Sequence, residues 1–333
     1  MKILLASDAW PPQVNGVVRT MLAVKRELEA LGHKVSAVTP DGFVTVPCPF
    51  YPEIRLAINP VRKVGDLIEA AEPDAIHIVT EGPIGMAVRR WCLGAGYRFT
   101  TAYHTRFPEY LAVRLLAPRR VTYAILRRFH APSGAVMVAT ASVREELTAR
   151  GFVNLVPWGR GVDTRLFDPA LRGDLPEFPR PIFLSVGRVA QEKNLPAFLS
   201  LDLPGSKVVV GEGPALAALR RRFPSVHFLG RRENGVLARL YASADVFVFP
   251  SRTDTFGLVM LEALASGIPV AAYPVPGPLD VIDGSGAGVL DEDLGRAARA
   301  ALNLPGERCR EHALSFTWTA CARQFVDRLC PVH

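Results

Sequence analysis

No uninterrupted apolar run reaches the roughly 18 residues that a membrane-spanning helix requires, so a spanning helix is not expected. The opening MKILLASDAW is apolar but meets Asp8 and Trp-Pro-Pro too early for a signal peptide, which argues against secretion. Cysteine is scarce: Cys48, Cys92, Cys309, Cys321 and Cys330 are odd in number, scattered and without a CxxC pair. That spacing argues against a disulfide framework and a structural zinc site, and fits a reducing cytoplasm. A GxGxxG run is missing too, and with it the nicotinamide dinucleotide fingerprint. Lysine contributes only six of the 39 basic residues, a bias that genome composition explains as well as selection for phosphate-binding forks does. With no recognised nucleic-acid motif and no basic tail, the net charge of +7 does not point to nucleic acid.

What is present is ample apolar material. The chain has 333 residues, 49% hydrophobic and 21% charged, too long for one ordinary core and suited to two α/β domains. The excess charge is confined to the first half. Residues 1–165 carry 21 Lys and Arg against 14 Asp and Glu, and residues 166–333 carry 18 against 18.

Short apolar runs alternate with helical patterns, the grammar of a doubly wound parallel sheet covered on both faces. Strands are expected at 3–6, 34–39, 75–79, 99–103 and 135–139, with helices near 17–31 and 64–71. The pattern restarts after a break rich in Pro, Asp and Arg from Asp168 to Pro181, read here as the domain linker. Strands follow at 182–186, 207–210, 227–229, 246–249 and 270–272, with helices at 215–222, 235–242 and 257–265. The expected division is 1–167, 168–310 and a final helical segment 311–333 that returns to the first domain. Ligands of such folds bind beyond the carboxyl ends of the strands, here in a cleft between the two sheets.

Several motifs fall at those strand ends. In Asp8-Ala-Trp-Pro-Pro-Gln-Val-Asn15-Gly16 the start of a helix offers backbone N–H groups to an anion, or Gly16 simply permits a turn. Gly187-Arg188 and Lys193 place two cations after a strand, suited to a diphosphate or merely solvated. In Ser251-Arg-Thr-Asp254-Thr-Phe256-Gly257-Leu258-Val259-Met-Leu-Glu262 a loop carboxylate precedes a helix that carries a second one. There the N–H groups of Leu258 and Val259 would meet phosphate and Glu262 a ribose hydroxyl. The bland alternative makes Asp254 a helix cap and Glu262 a solvated residue. His77 and Glu81 end another strand, where acceptor contact and helix capping are both open readings. Asp291-Glu-Asp293 has the DxD form of a metal site but precedes a helix, so capping is favoured and no catalytic metal or cofactor is expected.

Asn15-Gly16, Gly187-Arg188 with Lys193, the Gly211-Glu212-Gly-Pro loop and TDTFGLVMLEALASGIPV together resemble the retaining glycosyltransferases of family 4, two-domain GT-B enzymes. The resemblance spans nearly the whole chain, with the motifs in the family's order. It implies a nucleotide-sugar donor whose nucleoside is held mainly by the second domain. It also makes His104, in Thr101-Ala-Tyr-His-Thr-Arg106, the histidine that contacts the transferred sugar, with Arg106 and Glu109 nearby as contacts to donor or acceptor. The family's paired acids are usually both Glu; Asp254 is one methylene shorter at the first position, which bears on donor sugar and rate. The implied mechanism is a same-face substitution in which Arg188, Lys193 and the N–H groups of Gly16, Leu258 and Val259 stabilise the departing diphosphate.

For the acceptor, the segment 113–129 interleaves Arg114, Arg119, Arg120, Arg127 and Arg128 with Leu115, Leu116, Tyr123, Leu126 and Phe129. It reads either as a peripheral contact with an anionic membrane or as a core helix whose arginines face water. The resemblance is strongest to bacterial glycolipid-forming members. It implies a UDP-sugar donor and a lipid acceptor such as diacylglycerol, with a GDP-mannose-dependent mannosyltransferase as the alternative. A sugar-nucleotide binder without turnover is the reading from another class.

Overall fold

A computed structural model describes residues 1–13, 15–48, 51–106, 108–109, 118–175 and 177–333, with the backbone alone at 51–53 and 234. Arg114, Leu115 and Leu116 lie outside the described residues. The chain forms two compact units, Met1–Arg160 with Trp318–His333, and Gly161–Thr317.

In the first unit the elements run β1 (Lys2–Ala6), α1 (Gly16–Ala30), β2 (Lys34–Val38), β3 (Thr45–Cys48), β4 (Tyr51–Ala57), α2 (Val61–Ala71), β5 (Ala75–Ile78), α3 (Pro83–Ala95), β6 (Thr100–Tyr103), α4 (Arg119–His130), β7 (Ala135–Val138), α5 (Ala141–Ala149) and β8 (Leu155–Pro157). Six strands form a parallel sheet in the order β2-β1-β5-β6-β7-β8, and β3 and β4 form a separate antiparallel hairpin. Register is set in β1, where Ile3 lies opposite Val35 on one side and Ala75 on the other. Alternate residues of that strand feed opposite faces: Leu4 and Ala6 pack with Ile76, Ile78 and Val88, and Ile3 and Leu5 pack with Met21, Val24 and Leu28 of α1.

The second unit contains β9 (Ile182–Val186), α6 (Leu195–Leu199), β10 (Ser206–Val210), α7 (Leu216–Arg222), β11 (His227–Phe228), α8 (Asn234–Ser243), β12 (Val246–Phe249), α9 (Leu258–Ala265), β13 (Val270–Ala272), α10 (Pro278–Ile282), β14 (Gly288–Leu290), α11 (Leu294–Ala301) and α12 (Gly306–Leu314). Its sheet is parallel in the order β11-β10-β9-β12-β13-β14, the doubly wound order 3-2-1-4-5-6. Phe183, Val209, Val246, Val248 and Ala271 of the sheet pack with Phe198 and Ala298 from the flanking helices.

Two boundaries differ from the sequence expectation. The stretch from Gly161 belongs to the second unit, because the Val162 N–H donates to Phe316 O at 3.0 Å and Arg310 donates to the carbonyls of Thr164 and Phe167 and to Asp168. The expected linker from Asp168 is therefore inside that unit. The final helical segment is two helices: α12 stays in the second unit, and only α13 (Trp318–Arg328) lies in the first. There Phe325, Ala322 and Cys321 are buried in the cluster that contains Met21 and Val24, and Thr319 Oγ1 donates to Glu27 Oε2 at 2.8 Å.

Candidate active site

In the second unit the strand order reverses between β9 and β12, the place where a doubly wound sheet leaves a crevice beyond its strand ends. The loops that leave those two strands carry Gly187-Arg188-Lys193 and Asp254-Phe256-Gly257, so the expected phosphate-facing residues sit at the switch point. They are stitched together. Asn194 Nδ2 donates to Pro250 O at 3.1 Å and Thr253 Oγ1 to Glu192 O at 3.3 Å. The Gly211-Glu212-Gly213 loop closes the floor: a Cβ on Gly211, whose φ is +143°, would stand 1.8 Å from Gly187 O. Val189 N–H donates to Glu212 O at 2.8 Å, whereas the Glu212 side chain is exposed.

Lys193 Nζ and Asp254 Oδ1 form an ion pair at 2.5 Å, and Asp254 Oδ2 is buried with no hydrogen-bond partner. Arg188 is half-buried on the same loop as Lys193. Asp254 is thus not the cap of α9. That position belongs to Gly257, at φ +85° and without a side-chain cap, which leaves the first N–H groups of the helix, Leu258 and Val259, to the loop side. Phe256 is buried, its ring 6.5 Å from that of Phe316. Glu262 is not solvated either: it is 5% exposed, and Tyr241 Oη donates to its Oε2 at 2.9 Å. Tyr241 had no sequence signal, being one aromatic residue in the apolar pattern of α8.

In the first unit the loop after β1 is built from side chains. Asn15 Oδ1 accepts the Val18 N–H at 3.0 Å as the cap of α1, its Nδ2 donates to Gln13 Oε1 at 3.3 Å, and Gln13 donates to Asp8 O at 3.1 Å. Gly16 is the first helical residue and is exposed. Asp8 crosses to the loop after β5, accepting from Thr80 Oγ1 at 2.9 Å and from the Ile84 N–H at 2.9 Å. Burial pushes its carboxyl pKa up, against those bonds. Glu81 is engaged by His130 Nε2 at 3.2 Å.

His104 follows β6, with its Nδ1 3.4 Å from Nη2 of Arg160 and its ring 5.7 Å from the buried Trp158. Burial, aided by the Arg160 charge, holds its pKa well below the usual histidine value, so the ring is neutral. Arg160 and Trp158 escaped the sequence reading; the run Trp-Gly-Arg-Gly directly after a strand end was the available signal. Trp158 is fixed from α13, its Nε1 donating to Cys321 O at 3.1 Å and its ring 5.1 Å from Phe325. His77 packs into the same aromatic cluster.

Other expected contacts are internal. Arg106 is buried and donates to Glu146 Oε2 at 2.7 Å, and Glu109 Oε1 accepts from Tyr123 Oη at 2.8 Å. On α4 the apolar residues expected at a membrane, Tyr123, Leu126 and Phe129, are buried in the unit, because their spacing puts them on the core face. Its outer face carries exposed Arg119, Arg120, Arg127 and Arg128 with Val121 and Ile125, 55% and 61% exposed and one turn apart. Asp293 caps α11 by accepting from Gly295 and Arg296, and Asp291 pairs with Arg296. Among the described residues no three His, Cys, Asp or Glu side chains gather as metal ligands, and no helix is long and apolar enough to cross a membrane.

Residues 14–166 match the family described as Glycosyltransferase Family 4, and residues 180–305 match Glycosyl transferases group 1. The chain is 28% identical to a GDP-mannose-dependent alpha-mannosyltransferase of Mycobacterium tuberculosis, over 100% of this chain and 94% of that one. It is also 28% identical to an alpha-monoglucosyldiacylglycerol synthase of Streptococcus pneumoniae, over 95% and 81%. Among solved structures, sucrose-phosphate synthase from Thermosynechococcus elongatus superposes with a TM-score of 0.79 over 98% of this chain and 97% of that one, at 22% identity, a likeness of fold.

Proposed function

Since the chain belongs to glycosyltransferase family 4 and is a nucleotide-sugar hexosyltransferase of the GT-B fold, we propose that it moves a hexose or uronic acid from a UDP-sugar, with retention, to a hydroxyl of a membrane lipid such as diacylglycerol. The observation that carries the reading is the β9/β12 switch point, where Lys193, Asp254, Arg188 and the uncapped start of α9 share two stitched loops. Family membership decides for an enzyme over a binder without turnover.

On this reading Arg188 and Lys193 meet the diphosphate, and the N–H groups of Leu258 and Val259 add backbone donors aimed at developing negative charge. Lys193 exchanges Asp254 for phosphate oxygens, which turns the short Asp254 carboxylate toward the sugar's hydroxyls. Glu262, its far oxygen held by Tyr241, takes a ribose hydroxyl. His104 meets a hydroxyl of the transferred sugar. The bond from the anomeric carbon to the diphosphate breaks as the acceptor oxygen attacks the same face, and the acceptor proton passes to the departing phosphate oxygen. Protein cations and a helix start fill the role a divalent ion has elsewhere, so no metal is assigned.

The Arg-rich outer face of α4, with exposed Val121 and Ile125 beside the arginines, suits an anionic membrane surface, where arginines meet headgroups and the two aliphatic side chains enter the interface. The streptococcal relative, a diacylglycerol glycolipid synthase by its name, supports the lipid acceptor. A second reading, GDP-mannose as donor, is favoured by the mycobacterial relative, which matches the whole chain. The test is a panel of UDP-sugars and GDP-mannose with diacylglycerol vesicles, with and without anionic lipid, read as released nucleotide and as new glycolipid by mass spectrometry. UDP release with glycolipid supports the first reading and GDP release the second. Turnover on a soluble glycan alone overturns the lipid acceptor.

A further inference from the structure

Arg160 is a buried cation. Among the described residues no carboxylate lies within ion-pair distance of it, and it is 6% exposed. Its Nη1 donates to the carbonyls of Trp158 and Gly159, both at 2.8 Å, and the guanidinium lies over the Trp158 ring, 4.3 Å from the centroid. Nη2 faces Nδ1 of His104 at 3.4 Å. Burying an unpaired charge is costly, and here the charge is presented to the one histidine that the family reading puts against the sugar.

A guanidinium carries donors only and stays protonated. The ring nitrogen it faces is therefore an acceptor, with no proton on Nδ1. A neutral imidazole with a bare Nδ1 carries its proton on Nε2. We propose that Arg160 is a positioning residue that locks His104 as the Nε2–H tautomer, so that the histidine meets the transferred sugar as a hydrogen-bond donor to a hydroxyl oxygen and not as a base. The sugar contact of His104 rests on the family reading; the tautomer does not. Trp158 is the surface on which both side chains are set, and α13 holds it through Cys321 O and Phe325. The C-terminal helix thereby helps to fix the ring through Trp158.

The experiment is histidine-selective ¹⁵N labelling of the full chain and two-bond ¹H–¹⁵N correlation at pH 7.5, with His104→Gln to assign the signals. The expected result is an unprotonated Nδ1 and a protonated Nε2 on His104. An Nδ1–H tautomer, or an imidazolium, overturns the proposal, and this measurement on the wild type does not depend on the Arg160 variants folding. In Arg160→Met, which keeps the stack on Trp158, the tautomers are expected to mix and kcat to fall about 10–100-fold, the usual cost of losing an orienting partner. KM for the nucleotide-sugar should stay within about twofold, since the lost interaction acts on the reacting sugar. Arg160→Lys, with charge and donors kept, should recover part of kcat. A folded Arg160→Met with the His104 tautomer unchanged overturns the role of Arg160. The expected tautomer, together with no transfer from any nucleotide-sugar, sinks the family reading and leaves the lock standing.

Discussion

Acidification should unfold the first unit through His77. The ring is fully buried between Trp158 and Phe325, its Nδ1 is bonded to Thr100 Oγ1 at 2.9 Å, and its Nε2 has no partner. A second proton would sit on Nε2 with nothing to accept it, so desolvation lowers the pKa from 6.5 to about 3. The unfolded chain takes that proton below pH 6.5 and the native chain refuses it until about pH 3. Stability present above pH 6.5 is therefore lost as pH falls, at about 1.4 kcal/mol per unit for this one group. At pH 5.5 the loss is about 1–2 kcal/mol, and over the whole window roughly 5 kcal/mol, comparable with the lower end of a domain's total stability. His104, also held neutral, adds in the same direction. Asp8 opposes: its raised pKa lets the native state bind a proton first, which stabilises as pH falls. All four tryptophans, Trp10, Trp91, Trp158 and Trp318, lie in the first unit, so their fluorescence in urea reports that unit alone. Between pH 7.5 and 5.5 the wild type should lose about 1–2 kcal/mol more than His77→Asn, which keeps a polar partner for Thr100 but does not titrate. Parallel pH profiles for the two proteins would mean that His77 does not carry the acid sensitivity.

Two substitutions in the second unit follow from the switch-point geometry. Lys193→Ala should lower kcat about 10²–10³-fold, as removal of one preorganised electrostatic donor does; undiminished turnover would take Lys193 out of the diphosphate site. Gly211→Ala puts a methyl group against Gly187 O, so the β9 and β10 ends must part. Calorimetric titration with UDP and GDP should then show nucleotide binding lost with a modest fall in melting temperature, and unchanged affinity would mean that the loop is no part of the site.

The fold was legible because its evidence is local. The buried parallel strands are short apolar runs such as Ile182–Val186 and Val246–Phe249, and the structure has both with those limits. Position after a strand end singled out Arg188, Lys193 and Asp254 as candidates, and the resemblance added His104. What the sequence did not show was pairing across distance. Lys193 and Asp254 are 61 residues apart, and Tyr241 reaches Glu262 from another helix. Arg160 meets His104 because β8 pairs with β7 and β7 with β6, a strand order that no local pattern encodes. The α4 helix stayed open for the opposite reason: mixed Arg and apolar residues fit a membrane face and a core face equally well until packing shows which residues point inward. The domain boundary moved because Arg310, distant in sequence, gathers the carbonyls of Thr164 and Phe167 and the carboxylate of Asp168 into the second unit.

The proposed function turns on transfer with retention from a nucleotide-sugar whose diphosphate is neutralised by protein donors. The decisive measurement is proton NMR of the product anomeric signal, formed from an α-linked donor in excess EDTA. An α-linked product at a rate that the chelator leaves unchanged is expected; a β-linked product, or activity abolished by EDTA and restored by magnesium, would rule this mechanism out.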